Sequence, residues 1–283
     1  MKKSYRIGMI GIICLTLGIC IGSAIYAGTY NDTISFSVYG VEAELVNTQE
    51  FELDGIELID ISYSSQNVYF YPSDTDHCII KEYLGNNKNK TDMKINGDTL
   101  SVHEKSSNQG FRFYVGGENE HIDIFLPRDY QESLQVTTSS GNIHIETEMD
   151  LQSLCVAASS GTITVEQVAA PMAVATTSGN IHMKEVVGGL AASSTSGNID
   201  IECVELKQDI GLATTSGNIR LELPGESSFT YTGNATSGNI RTDFDDVLSF
   251  NDKGNEAKGS YNDGTDVTIQ TETTSGNTKI TLK

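Results

Sequence analysis

The chain has 283 residues, 38 of them acidic against 18 basic, and a formal charge of −20, with 27 glycines, four prolines and no tryptophan. That balance excludes a nucleic-acid binder, which needs clustered Lys and Arg against phosphate, and it disfavours a protein held by charge to an anionic membrane surface. Glycine with little proline and abundant Thr, Ser, Ile and Val is the composition of strands joined by tight turns, which excludes a helical bundle.

At the N-terminus Lys2, Lys3 and Arg6 precede an uncharged run, Ile7 to Ala27, that spans roughly 30 Å as a helix, one hydrocarbon core. The positive flank predicts a cytoplasmic tip at 1–6, a transmembrane anchor at 7–27 and everything beyond facing outward. The competing reading is a signal peptide cleaved after Ala27, which would release a secreted protein. Neither Cys14 nor Cys20 follows a small residue, which speaks against a lipoprotein. Three of the basic residues lie in the tip, so the remainder carries 15 basic against 38 acidic residues, a formal charge of −23. Residues 28–50 read as a juxtamembrane spacer. Cys78, Cys155 and Cys203 are odd in number and widely spaced, so they read as small buried hydrophobes rather than a disulfide framework. Sequons at Asn31, Asn89 and Asn234 matter only in a eukaryotic secretory pathway.

From residue 133 onward one phrase recurs. Ser-Gly-Asn-Ile or a close variant occurs with its glycine at Gly141, Gly161, Gly179, Gly197, Gly217, Gly238 and Gly276, at intervals of 20, 18, 18, 20, 21 and 38 residues. Asn142, Asn180, Asn198, Asn218, Asn239 and Asn277 follow the glycine in six copies, and Thr162 in the seventh. The last interval reads as two periods with an insertion or one degenerate copy. Two residues after the glycine stand Ile143, Ile163, Ile181, Ile199, Ile219, Ile240 and Thr278, and four after it another mostly apolar column. The positions between are polar, among them His144, Thr164, His182, Asp200 and Arg220. Period-two alternation marks a strand with one buried face. Five residues before the glycine, Val136, Val156, Val174, Ala192, Leu212, Gly233 and Thr271 form a further small or aliphatic column, so each period holds two strands joined at the corner. Glycine and asparagine there accept positive φ, and the serine can bond the turned backbone. About three inward aliphatics worth ~1.5–3 kcal/mol each cannot offset ~1–2 kcal/mol of ordering for every residue of a rung, so rungs must stack. The fold expected over 133–283 is all-β, a β-solenoid of 18–21-residue rungs about 4.8 Å apart, with the asparagines in a ladder. An antiparallel sandwich is the competing architecture and explains the constant phase poorly.

Residues 51–132 hold irregular strands, including Ile59-Asp60-Ile61, Val68-Tyr69-Phe70-Tyr71 and Ile122-Asp123-Ile124-Phe125-Leu126-Pro127, with most of the aromatics, and read as the N-terminal cap and first rungs. Gly85 to Lys90 reads as a surface loop and Asn251 to Asp266 as an exposed insertion. Lys279 and Lys283 are placed to discourage edge pairing at the far end.

The Ser-Gly-Asn-Ile turns, preceded by Ile59-Asp60-Ile61, Gly97-Asp98-Thr99-Leu100-Ser101-Val102 and Ile122-Asp123-Ile124-Phe125-Leu126-Pro127, resemble the bacterial putative-adhesin family, a domain of unknown function, over roughly residues 51–283. The resemblance implies a β-helix-like solenoid exposed at a bacterial envelope, often behind an N-terminal membrane segment: a single-pass protein of the cell membrane with its C-terminal domain extracellular. It also implies a link, for some relatives, to envelope stress. It brings no catalytic residues. Thr162 and the 38-residue interval depart from the pattern.

No constellation for chemistry emerges, and the chain reads as non-enzymatic and without a cofactor. His144 and His182 share a column, but Thr164 between them sets their rungs about 9.6 Å apart, too far for one zinc ion. Glu146, Glu166, Glu202 and Glu222 form an acidic face suited at most to weak calcium, interrupted by Lys184. Gly-x-Ser-x-Gly, phosphate-loop and dinucleotide motifs are missing from the sequence. Two readings follow. One is a binding or adhesion scaffold presenting repeated polar columns to an envelope polymer or protein. The other is an envelope-stress sensor whose acidic ectodomain attracts cationic peptides or a membrane signalling partner.

Overall fold

The computed structural model describes residues 35–37, 43–85, 91–104, 112–114, 120–264 and 267–283. The expected tip at 1–6 and anchor at 7–27 lie outside the described residues, as does all of the expected loop at 85–90 except Gly85. Among the described residues no helix is long and apolar enough to cross a membrane.

The N-terminal part holds β1 (Ser35–Ser37), β2 (Glu44–Glu52), β3 (Leu58–Tyr63), β4 (Asn67–Ser73), β5 (His77–Leu84), β6 (Asp92–Asn96), β7 (Thr99–His103), β8 (Arg112–Tyr114) and β9 (His121–Pro127). The repeats follow as β10 (Ser133–Thr138), β11 (Ile143–Asp150), β12 (Ser153–Ser160), β13 (Ile163–Ala169), β14 (Met172–Ser178), β15 (Ile181–Val187), β16 (Leu190–Ser196), β17 (Ile199–Glu205), β18 (Ile210–Ser216) and β19 (Ile219–Leu223). The chain ends with β20 (Phe229–Ser237), β21 (Ile240–Thr242), a single 3-10 turn at Asp245–Val247, β22 (Leu248–Phe250), β23 (Glu256–Tyr261), β24 (Thr268–Ser275) and β25 (Thr278–Leu282).

Each repeat gives one rung of two strands, one in each of two sheets. The strands before the corners, β10, β12, β14, β16 and β18, are hydrogen-bonded in that order in a twelve-stranded sheet, here sheet I; those after the corners, β11, β13, β15, β17 and β19, line up in an eleven-stranded sheet, sheet II. All these pairings are parallel. Ile143, Ile163, Ile181, Ile199 and Ile219 are direct neighbours, and so are Val136, Val156, Val174, Ala192 and Leu212; all are buried in one core cluster. The apolar columns of the sequence are thus the interior of the stack, and the polar columns are its outer faces. Cys78 and Cys203 are buried and Cys155 is half-buried, with no disulfide among them. Desolvation pushes the Cys78 and Cys203 thiols up to about 12.

Regular stacking begins well before residue 133. β3 pairs in register with β10 and β4 with β11, so residues 58–73 form a full rung, and β7 with β9 forms another outside it. Sheet I closes on antiparallel β6, and sheet II on antiparallel β5 and then β2. Residues 44–50, expected within the spacer, belong with 51 and 52 to an edge strand of sheet II, because β2 covers β5 with eight paired residues.

At the other end the spatial order departs from the chain order. β24 and β25 sit between the rung β18–β19 and the rung β20–β21. The 38-residue interval holds no degenerate copy: the chain makes rung β20–β21, leaves for the hairpin β22–β23 that covers β20, and returns to insert its last rung one layer inward. Lys279 and Lys283 accordingly do not guard an edge. Lys279 lies between Arg220 and Arg241, and Lys283 Nζ bonds the carboxylates of Glu202 and Glu222. The insertion also explains two oddities in the apolar column. A side chain at Gly233 would strike the Tyr231 hydroxyl, which lies 2.8 Å from Thr271 Oγ1, so the tyrosine fills the space that an aliphatic residue fills elsewhere. Phe229, Tyr231, Phe244 and Tyr261 close this end as an aromatic cluster, with Phe229 and Tyr231 edge-on to Phe244 and Tyr261 tilted against Phe229 and Phe244.

Candidate binding faces

The corners stack one over the next. A Cβ placed on Gly179, Gly197 or Gly217 would stand 1.8–2.0 Å from the carbonyl oxygen of the glycine one rung before, and Gly276 and Gly238 continue the column in spatial order. Of the seven corner glycines only Gly161 and Gly276 have positive φ, and none of the six asparagines does. The glycine is thus demanded mainly by close approach of backbones and not, as expected, by left-handed conformation.

The asparagines serve through their side chains. Asn142 N–H donates to Asn67 Oδ1 at 2.8 Å, Thr162 N–H to Asn142 at 2.8 Å, Asn198 N–H to Asn180 at 2.9 Å, Asn218 N–H to Asn198 at 2.9 Å, Asn277 N–H to Asn218 at 2.9 Å and Asn239 N–H to Asn277 at 3.0 Å. Thr162 takes its place as a donor but has no side-chain amide oxygen to offer Asn180, so the ladder is interrupted there and resumes from Asn180 to Asn198. A second ladder, not expected from the sequence, runs beside it. Three residues before the glycine stand Thr138, Ala158, Thr176, Ser194, Thr214, Ala235 and Thr273, and the hydroxyls of Ser194, Thr214 and Thr273 donate to the glycine carbonyl of the preceding rung at 3.2 Å. The corner serines, expected to bond the turned backbone, are exposed at Ser178, Ser196 and Ser216. The recurrence of hydroxyl residues at a buried phase was the available signal.

Outside the corners, each sheet presents different chemistry. Sheet I carries Thr177, Thr195, Thr215, Thr274 and Thr236 as one exposed column, above small residues such as Ala175 and Ser193. Sheet II carries His144, Thr164, His182, Asp200, Arg220, Lys279 and Arg241 in register, with Thr164 separating the histidines as expected. Among the described residues no group of three or more His, Cys, Asp or Glu is disposed to hold a metal. The acidic column is partly neutralised, since Arg220 approaches Glu222 at 3.7 Å and Lys283 reaches two of its members.

At the N-terminal end of sheet II the outer face becomes aromatic. Strand alternation sends Val68 and Phe70 inward and Tyr69 and Tyr71 outward, and likewise buries Ile122 and Ile124 while turning His121, Asp123 and Phe125 out. Register sets these beside one another in three rows: Tyr83, Lys81, Ile79; His121, Asp123, Phe125; Asn67, Tyr69, Tyr71. The short Asp123 lies at the centre, walled by long side chains. Tyr83 stacks on His121 at 4.4 Å, Tyr71 on Phe125 at 5.2 Å and Tyr69 on His144 at 4.8 Å, and Lys81 Nζ lies 4.6 Å above the Phe125 ring. Asn67, Tyr69, Tyr71 and His121 line a cleft of about 330 Å³. Desolvation holds the Asp123 carboxyl above its usual range, against the opposing pull of His121 and Lys81. In the sequence these aromatics mark only the N-terminal cap, because side-chain bulk alone does not tell which face of a strand is outward.

A family model described as Toastrack DUF4097 matches residues 56–173 and again 169–281. No curated protein matches the chain. Solved structures to which the chain shows similarity include a putative cell adhesion protein from Clostridium sporogenes, with 12% identity, 84% of this chain aligned to 98% of that one and a TM-score of 0.46. A putative adhesin from Bacteroides fragilis has 15% identity over 83% and 96% of the two chains, TM-score 0.46. A putative lipid binding protein from Parabacteroides distasonis has 14% identity over 87% and 99%, TM-score 0.43.

Proposed function

The chain belongs to the Toastrack DUF4097 family, and from that premise we propose that it is a non-catalytic binding scaffold, held at a bacterial membrane by residues 7–27 and presenting its two outer sheet faces to an envelope polymer or surface protein. One observation carries the reading: outward side chains of both sheets stand in columns with strand-to-strand register over at least five consecutive rungs. A surface that repeats at about 4.8 Å suits an extended ligand met at many points, whereas catalysis needs one singular arrangement. The interior is committed to packing and the corners to backbone ladders, which leaves the outer columns as the surface available for recognition.

The test is retention of the full chain on insoluble bacterial and matrix polymers, such as peptidoglycan and extracellular polysaccharide, in a sedimentation assay. The scaffold reading expects retention that survives washing. Absence of retention on every polymer, with the full chain folded by circular dichroism, ends it.

A further inference from the structure

The outer column of sheet II is chemically mixed over most of its length, but its last three positions are of one kind. Arg220 of β19 lies directly beside Lys279 of β25, and Lys279 beside Arg241 of β21, so three cations stand on consecutive strands over about 9.6 Å. All three are exposed. Like charges directly opposite on neighbouring strands repel and weaken the pairing. The chain has carboxylates in excess, at a formal charge of −20, yet few of them relieve this row. Asp200 approaches Arg220 at 3.9 Å and Glu222 at 3.7 Å, whereas Lys279 and Arg241 form no ion pair within the described residues. The other carboxylates nearby are engaged: Lys283 holds Glu202 and Glu222, and Asp243 Oδ2 accepts the Leu282 N–H at 3.0 Å.

One step nearer the corner runs the exposed end of the asparagine ladder, Asn218, Asn277 and Asn239 in spatial order. The ladder takes up amide oxygens. Asn218 Oδ1 accepts from Asn277 N–H at 2.9 Å and from Asn277 Nδ2 at 3.4 Å, and Asn277 Oδ1 accepts from Asn239 N–H at 3.0 Å. A carboxamide has two N–H donors beside its oxygen, so Asn218 and Asn277 offer chiefly N–H to solvent. Guanidinium, ammonium and amide donors in two adjacent columns match oxyanions and mismatch cations. Three cations are fewer than the roughly 6–10 phosphate contacts of a typical DNA-binding surface, so the row suits a single thread. An anionic membrane would face the whole acidic body, whereas a thread laid along the row meets only groups within a Debye length, about 8 Å at physiological salt.

We propose that Arg220, Lys279 and Arg241, with Asn218 and Asn277 beside them, bind a linear polyanion whose phosphate or carboxylate groups lie along the row. This deepens the scaffold reading and rests on it: the polyanion is the polymer class that the C-terminal end of sheet II recognises. The cations that weaken the free stack are then neutralised by the ligand, and the strand spacing sets the steps at which its charges are met.

The experiment is a fluorescence-anisotropy titration of labelled polyphosphate, labelled polygalacturonate and labelled neutral dextran with the full chain, with salt varied between about 0.05 and 0.5 M. Binding of at least one polyanion, weakened by salt, is expected, with no binding of dextran; which polyanion binds more tightly identifies the phosphate or the carboxylate source. The double variant Lys279→Gln, Arg241→Gln should bind about tenfold more weakly at the lowest salt and lower the slope of log Kd against log salt by about 1–2. Its melting temperature should be unchanged or raised, since like charges leave neighbouring strands, so weaker binding is not a sign of unfolding. The charge-keeping variant Lys279→Arg, Arg241→Lys should bind within about threefold of wild type, and Lys253→Gln, Lys258→Gln, which removes two exposed charges from the β22–β23 hairpin, should match wild type. Equal loss in the hairpin variant, undiminished binding in the Lys279→Gln, Arg241→Gln variant, or equal binding of dextran overturns the row as the site. Failure to bind either polyanion while the chain is still retained on insoluble polymer overturns it too and leaves the scaffold standing; loss of retention as well removes both. Capture on phosphatidylglycerol vesicles with no binding of either soluble polyanion replaces the thread with a membrane and overturns the proposal.

Discussion

Between residues 153 and 205 every strand lies beside the strands one period earlier and one period later, whereas toward both ends the chain leaves that order. The middle is held by repetition: the same glycine approach, the same asparagine bond and the same aliphatic columns, each contributing a little at every rung. The ends are held by contacts that occur once. At one end the Glu82 carboxyl is fully buried and accepts from Asn47 Nδ2 at 2.7 Å, Thr91 N–H at 2.9 Å and the Thr91 hydroxyl. At the other, Tyr231 fills the space over Gly233 beneath a hairpin. A solenoid's interior layers need only a good neighbour, but its terminal layers must also stop, and stopping takes singular solutions.

The largest expected effect breaks the middle. Gly197→Val places a branched side chain where even a Cβ would stand 1.8 Å from the Gly179 carbonyl oxygen, so two rungs must separate. A loss of about 3 kcal/mol or more is expected in urea unfolding. Gly211→Ala is the matched comparison. Gly211 is in the same region, on the outer face, with nothing within 4 Å of the added Cβ, and the substitution should be neutral or stabilising by up to about 1 kcal/mol. Equal destabilisation by the two would mean that the corners do not stack.

That contrast also explains what was legible in advance. A column repeated seven times declares both its phase and its burial, so the rungs, the corner, the asparagine ladder and the spacing of His144 from His182 could be read from residue types alone. The return of the chain to insert β24–β25 could not. It depends on which exposed strand edge the hairpin β22–β23 leaves available, a three-dimensional choice that the 38-residue interval records only as extra length. The aromatic face around Asp123 was hidden for a related reason. Its rows come from β5, β9 and β4, which are joined partly antiparallel and out of chain order, so no single period brings Tyr83, Asp123 and Tyr71 together.

At the N-terminal end Glu82→Ala should be costly although it touches no repeat. It strands the Asn47 amide and two Thr91 donors in a buried site, for about 2–3 kcal/mol. Hydrogen exchange should then show β2, β5 and β6 opening first while β12 to β19 keep their protection, since nearest-neighbour coupling confines the damage. Uniform loss of protection would mean that the ends and the middle unfold as one unit. At the far end Tyr231→Phe keeps the ring and deletes the hydroxyl that meets Thr271. About 1 kcal/mol is expected, seen as a lower melting temperature by circular dichroism, and no change would show that the ring alone closes that end.

The smallest effect comes from pH and again falls on one end. His103 Nε2 lies 2.9 Å from Asp60 Oδ2 and ties β7 to β3, and that bond raises the histidine's pKa above its ordinary value. His77 is raised likewise, first by its bond to Asp76. A histidine raised in the folded state contributes stability that is fully present below its unfolded pKa, about 6.5, and is lost as pH rises through the folded value. The terminal layers should therefore loosen slightly between mildly acid and mildly alkaline solution. Because His103 keeps 45% of its side chain exposed, the contribution is well under ~1 kcal/mol. In the middle rungs no such pair ties one strand to the next: His182 has an exposed side chain, and His144 bonds Glu146 on its own strand. A His103→Gln variant should flatten the pH dependence of amide exchange in β7 and leave β14 to β17 unchanged. A pH dependence spread evenly over the whole stack would show instead that the acidic outer columns, not the single pairs at the end, control how the molecule responds to protons.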